Sequence, residues 1–425
     1  MSASTILSVW LLLFGIYVLV DAGLLLLNLR HVCRSRTLPA ELAGYFSDET
    51  FHRAREYTIA RGQLTLAATF LSAATVLVFV LGGLFGALDL ALEQFGLGRY
   101  VTGISYVFVL SLLFTIIQLP FSLYSTFGIE ARFGFNRMTP RMWLLDALKG
   151  LVLSVVLLAP LLAGIFWFVD AAGDLWWLYA FLLVSAFQLT MAFVFPIWIA
   201  PLFNRFSPLE DAALQEEVLN LCQRLHFGVA GVFQMDGSRR TAHANAWFSG
   251  FGGSRRIVLF DTLLETLSRE QTLAVLAHEI GHARRHHIRK SLGVSVVCTL
   301  IGFGLLGLLI GEPAFYEAFG FMQPSTHAAL VIFMFASSPV TFFLAPLSSM
   351  LSRRFEYEAD RFASDAVGGP QPLIEALVAL SRRSLSNLTP HPWYSFFHYA
   401  HPTLAERIRA MSREGMQPAS GVPGA

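Results

Sequence analysis

Residues 175–197, LWWLYAFLLVSAFQLTMAFVFPI, contain no acidic or basic side chain. An apolar run of this length crosses the roughly 30 Å hydrocarbon core of a bilayer as a single helix, because about 20 residues suffice at 1.5 Å per residue. Outward from it, comparable runs fall near 5–27, 64–86, 101–122 and 144–168 on one side, and near 291–311 and 328–350 on the other. Seven transmembrane helices are therefore predicted. Composition agrees, with 55% hydrophobic and 14% charged residues against about 25% charged in soluble domains, which excludes a soluble globule. The predicted class is mainly α, a polytopic membrane protein.

The formal net charge of +1 hides a strong asymmetry between alternate loops. Arg30, Arg34 and Arg36 follow the first span; Arg132, Arg137, Arg141 and Lys149 surround the connection of the third to the fourth; Arg284, Arg285, Arg289 and Lys290 precede the sixth. The opposite loops carry Asp89, Glu93, Asp170, Asp174, Glu312 and Glu317, with Arg99 as their only basic residue. Positive charge is retained on the cytoplasmic side, which predicts an outside amino terminus and a cytoplasmic carboxyl-terminal region. The first run lacks a basic leader and is followed by Arg30, so it reads as a retained helix and not a cleavable signal.

Cys33, Cys222 and Cys298 have no paired spacing and read as isolated thiols. The basic stretch Arg284 to Lys290, including His286 and His287, lacks interleaved aromatics and is assigned to the lipid surface. No nucleic-acid partner is expected.

Two polar regions interrupt the spans. The expected organisation is five spans and their loops over 1–202, the first part of an α+β catalytic domain over 203–290, two further spans over 291–350, the second part of that domain over 351–412, and a disordered tail over 413–425. The connection from Asn28 to Gly62 is expected to be a helical loop lying against the domain. Helical apolar spacing runs from Pro208 to Leu225; Val229, Val232 and Phe233 suggest a strand. Two further strands, Ala244 to Phe248 and Ile257 to Phe260, are joined by the glycine-rich connection 249–254. Ser268 followed by Gln271 is a capping box, opening a helix whose buried face carries Leu273, Leu276, Ala277 and Ile280.

That helix contains His278-Glu279-Ile280-Gly281-His282. Histidines at i and i+4 project from one face and bind one tetrahedral zinc, while Glu279 is directed toward a water at the open coordination position. A catalytic zinc takes a third protein ligand, and the best candidate is Glu356. Asp360, one helical turn further on, is placed to accept a hydrogen bond from a ligand histidine and fix its tautomer. Glu358 faces a different side and is the weaker choice. Asp21 lies within the first span and Glu130, with Arg132, just past the third; ionisable groups at such depth face a water-filled cavity, pair with each other, or snorkel to the interface.

These motifs, with Ile129-Glu130, Gly134-Phe135-Asn136, Pro201-Leu202-Phe203-Asn204, Asn245-Ala246-Trp247-Phe248 and His398-Tyr399-Ala400-His401-Pro402 leading to Glu406-Arg407, resemble the type I CAAX prenyl proteases over nearly the full chain. The resemblance implies seven helices around an intramembrane chamber, closed on the cytoplasmic side by a zincin-like metalloprotease domain. It implies one Zn²⁺ per chain held by His278, His282 and Glu356, with Glu279 as general base. It further implies that Asn245 and Ala246 bind the substrate backbone, and that His401 and Arg407 support the reacting carbonyl. Expected partners are a peptide or protein substrate, including lipidated ones, and membrane lipids. A broader quality-control membrane zinc protease, and a transporter or scaffold with structural zinc, are the competing readings. The ending Gly421-Val422-Pro423-Gly424-Ala425 carries no endoplasmic-reticulum retrieval signal, and with the compact loops it suggests a bacterial inner-membrane enzyme.

Overall fold

The structure, a computed structural model, describes residues 1–249 and 255–415. Its first half contains helices α1 (Ala3–Arg34), α2 (Asp48–Leu81), α3 (Leu84–Glu93), α4 (Arg99–Leu123), α5 (Pro140–Ala171) and α6 (Trp176–Val194). Next come β1 (Phe206–Pro208), α7 (Ala212–Arg224), β2 (Gly231–Met235), β3 (Ala246–Ser249) and β4 (Arg256–Phe260). The remainder is helical: α8 (Asp261–Thr266), α9 (Arg269–Arg284), α10 (His287–Leu309), α11 (Pro313–Glu317), α12 (Thr326–Val367), α13 (Gln371–Ser384), α14 (Pro392–His398) and α15 (Leu404–Gly415).

Among the described residues, seven helical segments are long and apolar enough to cross a membrane, and they are the seven that the apolar runs predict. Four of the helices that carry them start at a short polar side chain. Ser2, Ser47, Thr139 and Ser325 cap α1, α2, α5 and α12 by accepting a backbone N–H of the first turn, and Pro140 opens α5 where its missing N–H costs nothing.

Two apolar cores form at opposite ends of the spans. One contains Trp10, Phe14, Phe85, Tyr106, Phe315 and Phe319. The other unites α7, α9 and the sheet with residues from the membrane helices: Phe51, Ala54 and Tyr57 of α2, and Ile129 and Phe133 beyond α4. The expected helical loop from Asn28 to Gly62 is mostly the end of α1 and the start of α2; the link between them holds only the short turn Ala40–Leu42 and is anchored in this second core through Leu42 and Phe46.

Four strands make one sheet in the order β1-β2-β4-β3, with β2 and β4 parallel and the outer pairs antiparallel. β1 has no counterpart in the sequence reading: it is three residues long and ends on Pro208, so the helix expected from Pro208 starts only after Asp211, its cap. The glycine-rich connection expected over 249–254 lies, from Gly250 onward, outside the described residues. Of the tail expected from Arg413, the first three residues complete α15 and the rest lies outside the described residues.

α9 departs from its expected single stripe. Thr272, Ala274, Val275, Leu276, Ala277 and Ile280 are all buried while Leu273 is only half-buried. It is enclosed by α7, α10, α12, α13 and β3, so nearly its whole circumference meets protein. α12 is 42 residues long, about 63 Å at 1.5 Å per residue, twice the hydrocarbon thickness. Its amino-terminal half spans and its carboxyl-terminal half runs uninterrupted into the polar domain, passing beside α9.

Candidate metal centre

The capping box opens α9 as expected: the Ser268 side chain accepts from Gln271 N–H, and the Gln271 side chain accepts from Ser268 N–H. Three turns later His278 and His282 leave the same face. Gly281 sits where α9 meets α12, and a Cβ there would lie 3.2 Å from both Ala359 Cα and Phe362 Cβ. Its bare backbone lets α12 approach closely enough for Glu356 to reach the two imidazoles.

His278 Nε2 and His282 Nε2 are 3.2 Å apart; Glu356 Oε2 is 3.6 Å from the first and Glu356 Oε1 3.4 Å from the second. Tetrahedral ligands bound at about 2.0–2.1 Å stand roughly 3.3–3.4 Å apart, so the triangle has the dimensions of a zinc site. Glu356 is 3% exposed, and its Oε2 atom has no hydrogen-bond partner among the described residues. A buried carboxylate oxygen without a donor is costly, and a cation at the triangle's apex removes that cost.

Behind the triangle, each histidine is held through its other ring nitrogen. His278 Nδ1 lies 2.9 Å from Asp360 Oδ1. Asp360 accepts two hydrogen bonds from the fork of Arg407, which is itself buried and lies 3.5 Å from Glu356 through Nη1. Arg407 therefore meets the ligands from behind. His282 Nδ1 lies 3.0 Å from His287 Nδ1, and His287 Nε2 lies 3.2 Å from Glu358 Oε2. Neither residue is expected at the site from sequence, where His287 belongs to the lipid-facing basic stretch and Glu358 to another side of its helix. No spacing signal marks them, because they meet only when α10 folds back toward α12.

Glu279 follows His278 on α9 and lies within the electrostatic reach of His278, His282, Glu356 and Arg407. Burial pushes its carboxyl above the usual carboxylate range, against the pull of the neighbouring histidines. His401 Nδ1 is 3.0 Å from Glu356 Oε1, with its side chain 69% exposed. That hydrogen bond to the carboxylate raises the His401 pKa. His401 and Arg407 line a cavity of about 490 Å³. Asn387 and Tyr399 line both this space and a second one of about 430 Å³, which also exposes Asn28, Tyr57, Arg61 and His243.

β3 is the last strand of the sheet and packs against α9. Asn245, exposed, precedes it; its backbone carbonyl accepts from Phe260 N–H at 3.1 Å and its side chain accepts from Ala246 N–H at 2.9 Å. Ala246 is buried as the strand's first residue. The two ionisable groups at membrane depth are paired: Glu130 accepts from Tyr57 at 2.5 Å and lies 3.5 Å from His243, and Asp21 lies 3.5 Å from His398.

Comparison with known proteins agrees with this architecture. Residues 28–205 match the family model described as the CAAX prenyl protease N-terminal domain with five membrane helices, and residues 208–414 match peptidase family M48. The chain is 36% identical over 383 residues to a CAAX prenyl protease 1 homolog of Oryza sativa, covering 88% of this chain and 90% of that protein. It is 33% identical to CAAX prenyl protease 1 of Saccharomyces cerevisiae, with 88% of each covered. The crystal structure of S. mikatae Ste24p superposes with a TM-score of 0.89 at 31% identity, over 95% of this chain and 99% of that one.

Proposed function

The chain belongs to the CAAX prenyl proteases of peptidase family M48 and is a membrane metalloendopeptidase; on that premise we propose that zinc is its metal and that it cleaves near the carboxyl terminus of prenylated CAAX-type peptides. The observation that carries the metal is the triangle of His278, His282 and Glu356, in which a buried Glu356 oxygen has an ion-pair contact but no hydrogen bond. When bound, zinc supplies Lewis acidity that polarises the scissile carbonyl and lowers the pKa of a water toward neutrality.

The remaining steps belong to the protein. The edge of β3 aligns an extended substrate as an added strand, with Asn245 and Ala246 at its start. Glu279, next to His278 on α9, accepts a proton from the attacking water and returns it to the leaving amine. His401, exposed beside Glu356, is the group placed to donate to the developing oxyanion. Arg407 holds Asp360, and through it His278, in the ligating orientation.

The spans are proposed to enclose a chamber above this site. Only 6% of the apolar window of α10 and 11% of those of the fourth and fifth spans is buried. So little burial leaves these helices with surface to spare for both lipid and a chamber. The protease domain is placed on the cytoplasmic side, because Arg30, Arg34, Arg132, Arg284, Arg285 and Lys290 gather at the membrane face it adjoins. Labelling of exposed Cys33 in sealed vesicles tests this: reaction only after permeabilisation of right-side-out vesicles is expected, and reaction from outside contradicts it.

Cleavage of a farnesylated CAAX peptide compared with its unmodified counterpart tests the substrate. Preference for the farnesylated form is expected. Equal rates leave a peptidase of broader specificity, and no cleavage of either peptide contradicts the substrate class.

A further inference from the structure

His287 stands five residues after His282. On a continuous helix that separation is about 140° of rotation, which would point the two imidazoles apart. The chain instead breaks at His286, whose φ of 59° is left-handed, between the end of α9 and the start of α10. The break turns α10 back so that His287 Nδ1 comes to 3.0 Å from His282 Nδ1. His287 is 3% exposed and its ring stacks on Phe355 with centroids 4.2 Å apart and planes at 10°. Its far nitrogen meets Glu358, whose other oxygen accepts from Arg354 Nε at 3.1 Å.

We infer that His287 and Glu358 are positioning residues that together fix the tautomer and orientation of His282 as a metal ligand, an inference that rests on the zinc reading above. One proton arrangement satisfies every contact. With Nε2 of His282 ligating, its Nδ1 carries hydrogen and donates to His287 Nδ1; His287 Nε2 then carries hydrogen and donates to the Glu358 carboxylate. The two ligand histidines are thus held differently. His278 meets its carboxylate directly, in a buried pair clamped by Arg407, whereas His282 reaches its carboxylate through a second imidazole. Phe355, next to Glu356 in sequence, forms the surface on which His287 lies flat.

Zinc affinity of the purified full-length protein, measured by competition with a chelator, tests the inference. His287→Phe keeps the stack on Phe355 and removes the relay; a loss of about 10–100-fold in affinity is expected. Glu358→Ala, at a half-buried position where folding is little at risk, should lose in the same direction, and Glu358→Gln, which keeps an acceptor oxygen, should recover most of that loss. Because the two residues act in series, His287→Phe/Glu358→Ala should bind zinc no more weakly than His287→Phe alone. His286→Asn, which tolerates the left-handed backbone, should leave affinity unchanged. Wild-type zinc affinity in both His287→Phe and Glu358→Ala, or fully additive losses in the double variant, would overturn the relay while leaving the zinc site standing. Absence of zinc from the wild-type protein would overturn both.

Discussion

His278 Nδ1 lies 2.9 Å from Asp360 Oδ1, one helical turn along α12 from Glu356. A single stretch of α12 thus presents one carboxylate to the front of the imidazole cluster and another to its back. Arg407, brought in by α15, grips the second carboxylate with both arms of its fork. Asp360→Ala removes the acceptor and leaves the buried guanidinium with only its 3.5 Å contact to Glu356 as an ion pair. Zinc affinity should fall about 10–100-fold, and the melting temperature should fall with it. Asp360→Asn, which keeps an acceptor but not the charge, should lie between. Chelator competition and a thermal melt measure both effects.

Glu279 is adjacent to the ligands without belonging to the triangle. Glu279→Gln keeps the side-chain volume and removes the basic oxygen, so it should bind one zinc per chain like the wild type while turnover falls by about 10²–10⁴. Zinc analysis and single-turnover peptide cleavage on the same sample check this. Zinc lost together with activity would reassign Glu279 to holding the metal.

Much of this architecture is legible in the sequence because it depends on local periodicity. The spans announce themselves as uncharged runs, and His278, His282, Glu356 and Asp360 stand at helical spacing. The parts that escape are those made by approach between elements. The hydropathy of α12 ends near Met350, where Arg353, Arg354 and Glu356 begin, yet its backbone hydrogen bonding continues to Val367. Charge ends a hydrophobic run without ending a helix. His287 reads as one more basic-segment residue until the left-handed turn at His286 places it over His282. β1 is too short to show a period of two, and the expected stripe on α9 dissolves because five elements surround it.

Gly281 is required by the closeness of α9 and α12. Gly281→Val would drive branched methyls into Ala359 and Phe362, separating Glu356 from the histidines. A destabilisation of about 1–3 kcal/mol is expected from overpacking, with zinc affinity lost beyond what the stability change explains. Thermal melts of the zinc-free and zinc-loaded protein separate the two effects, since only the loaded form should lose its extra stability. Equal zinc stabilisation in variant and wild type would show that the helix spacing does not set the site.

The role proposed for the β3 edge concerns substrate alone. Asn245→Ala removes a group on that edge without touching the ligand triangle, so kcat/KM should fall about 2–10-fold, the worth of one hydrogen bond of about 0.5–1.5 kcal/mol. Zinc content should be unchanged. Peptide-cleavage kinetics give the first quantity and metal analysis the second. An unaltered kcat/KM would move the substrate away from this strand.

Peptide cleavage should depend on one zinc held by His278, His282 and Glu356. This dependence is tested most directly by stripping the purified protein with a chelator, measuring cleavage of a farnesylated CAAX peptide, and titrating zinc back. Cleavage should vanish with the metal and return in full at one zinc per chain, while Glu356→Ala should recover neither zinc nor activity at the same concentrations. Cleavage that persists after zinc is removed would contradict the account.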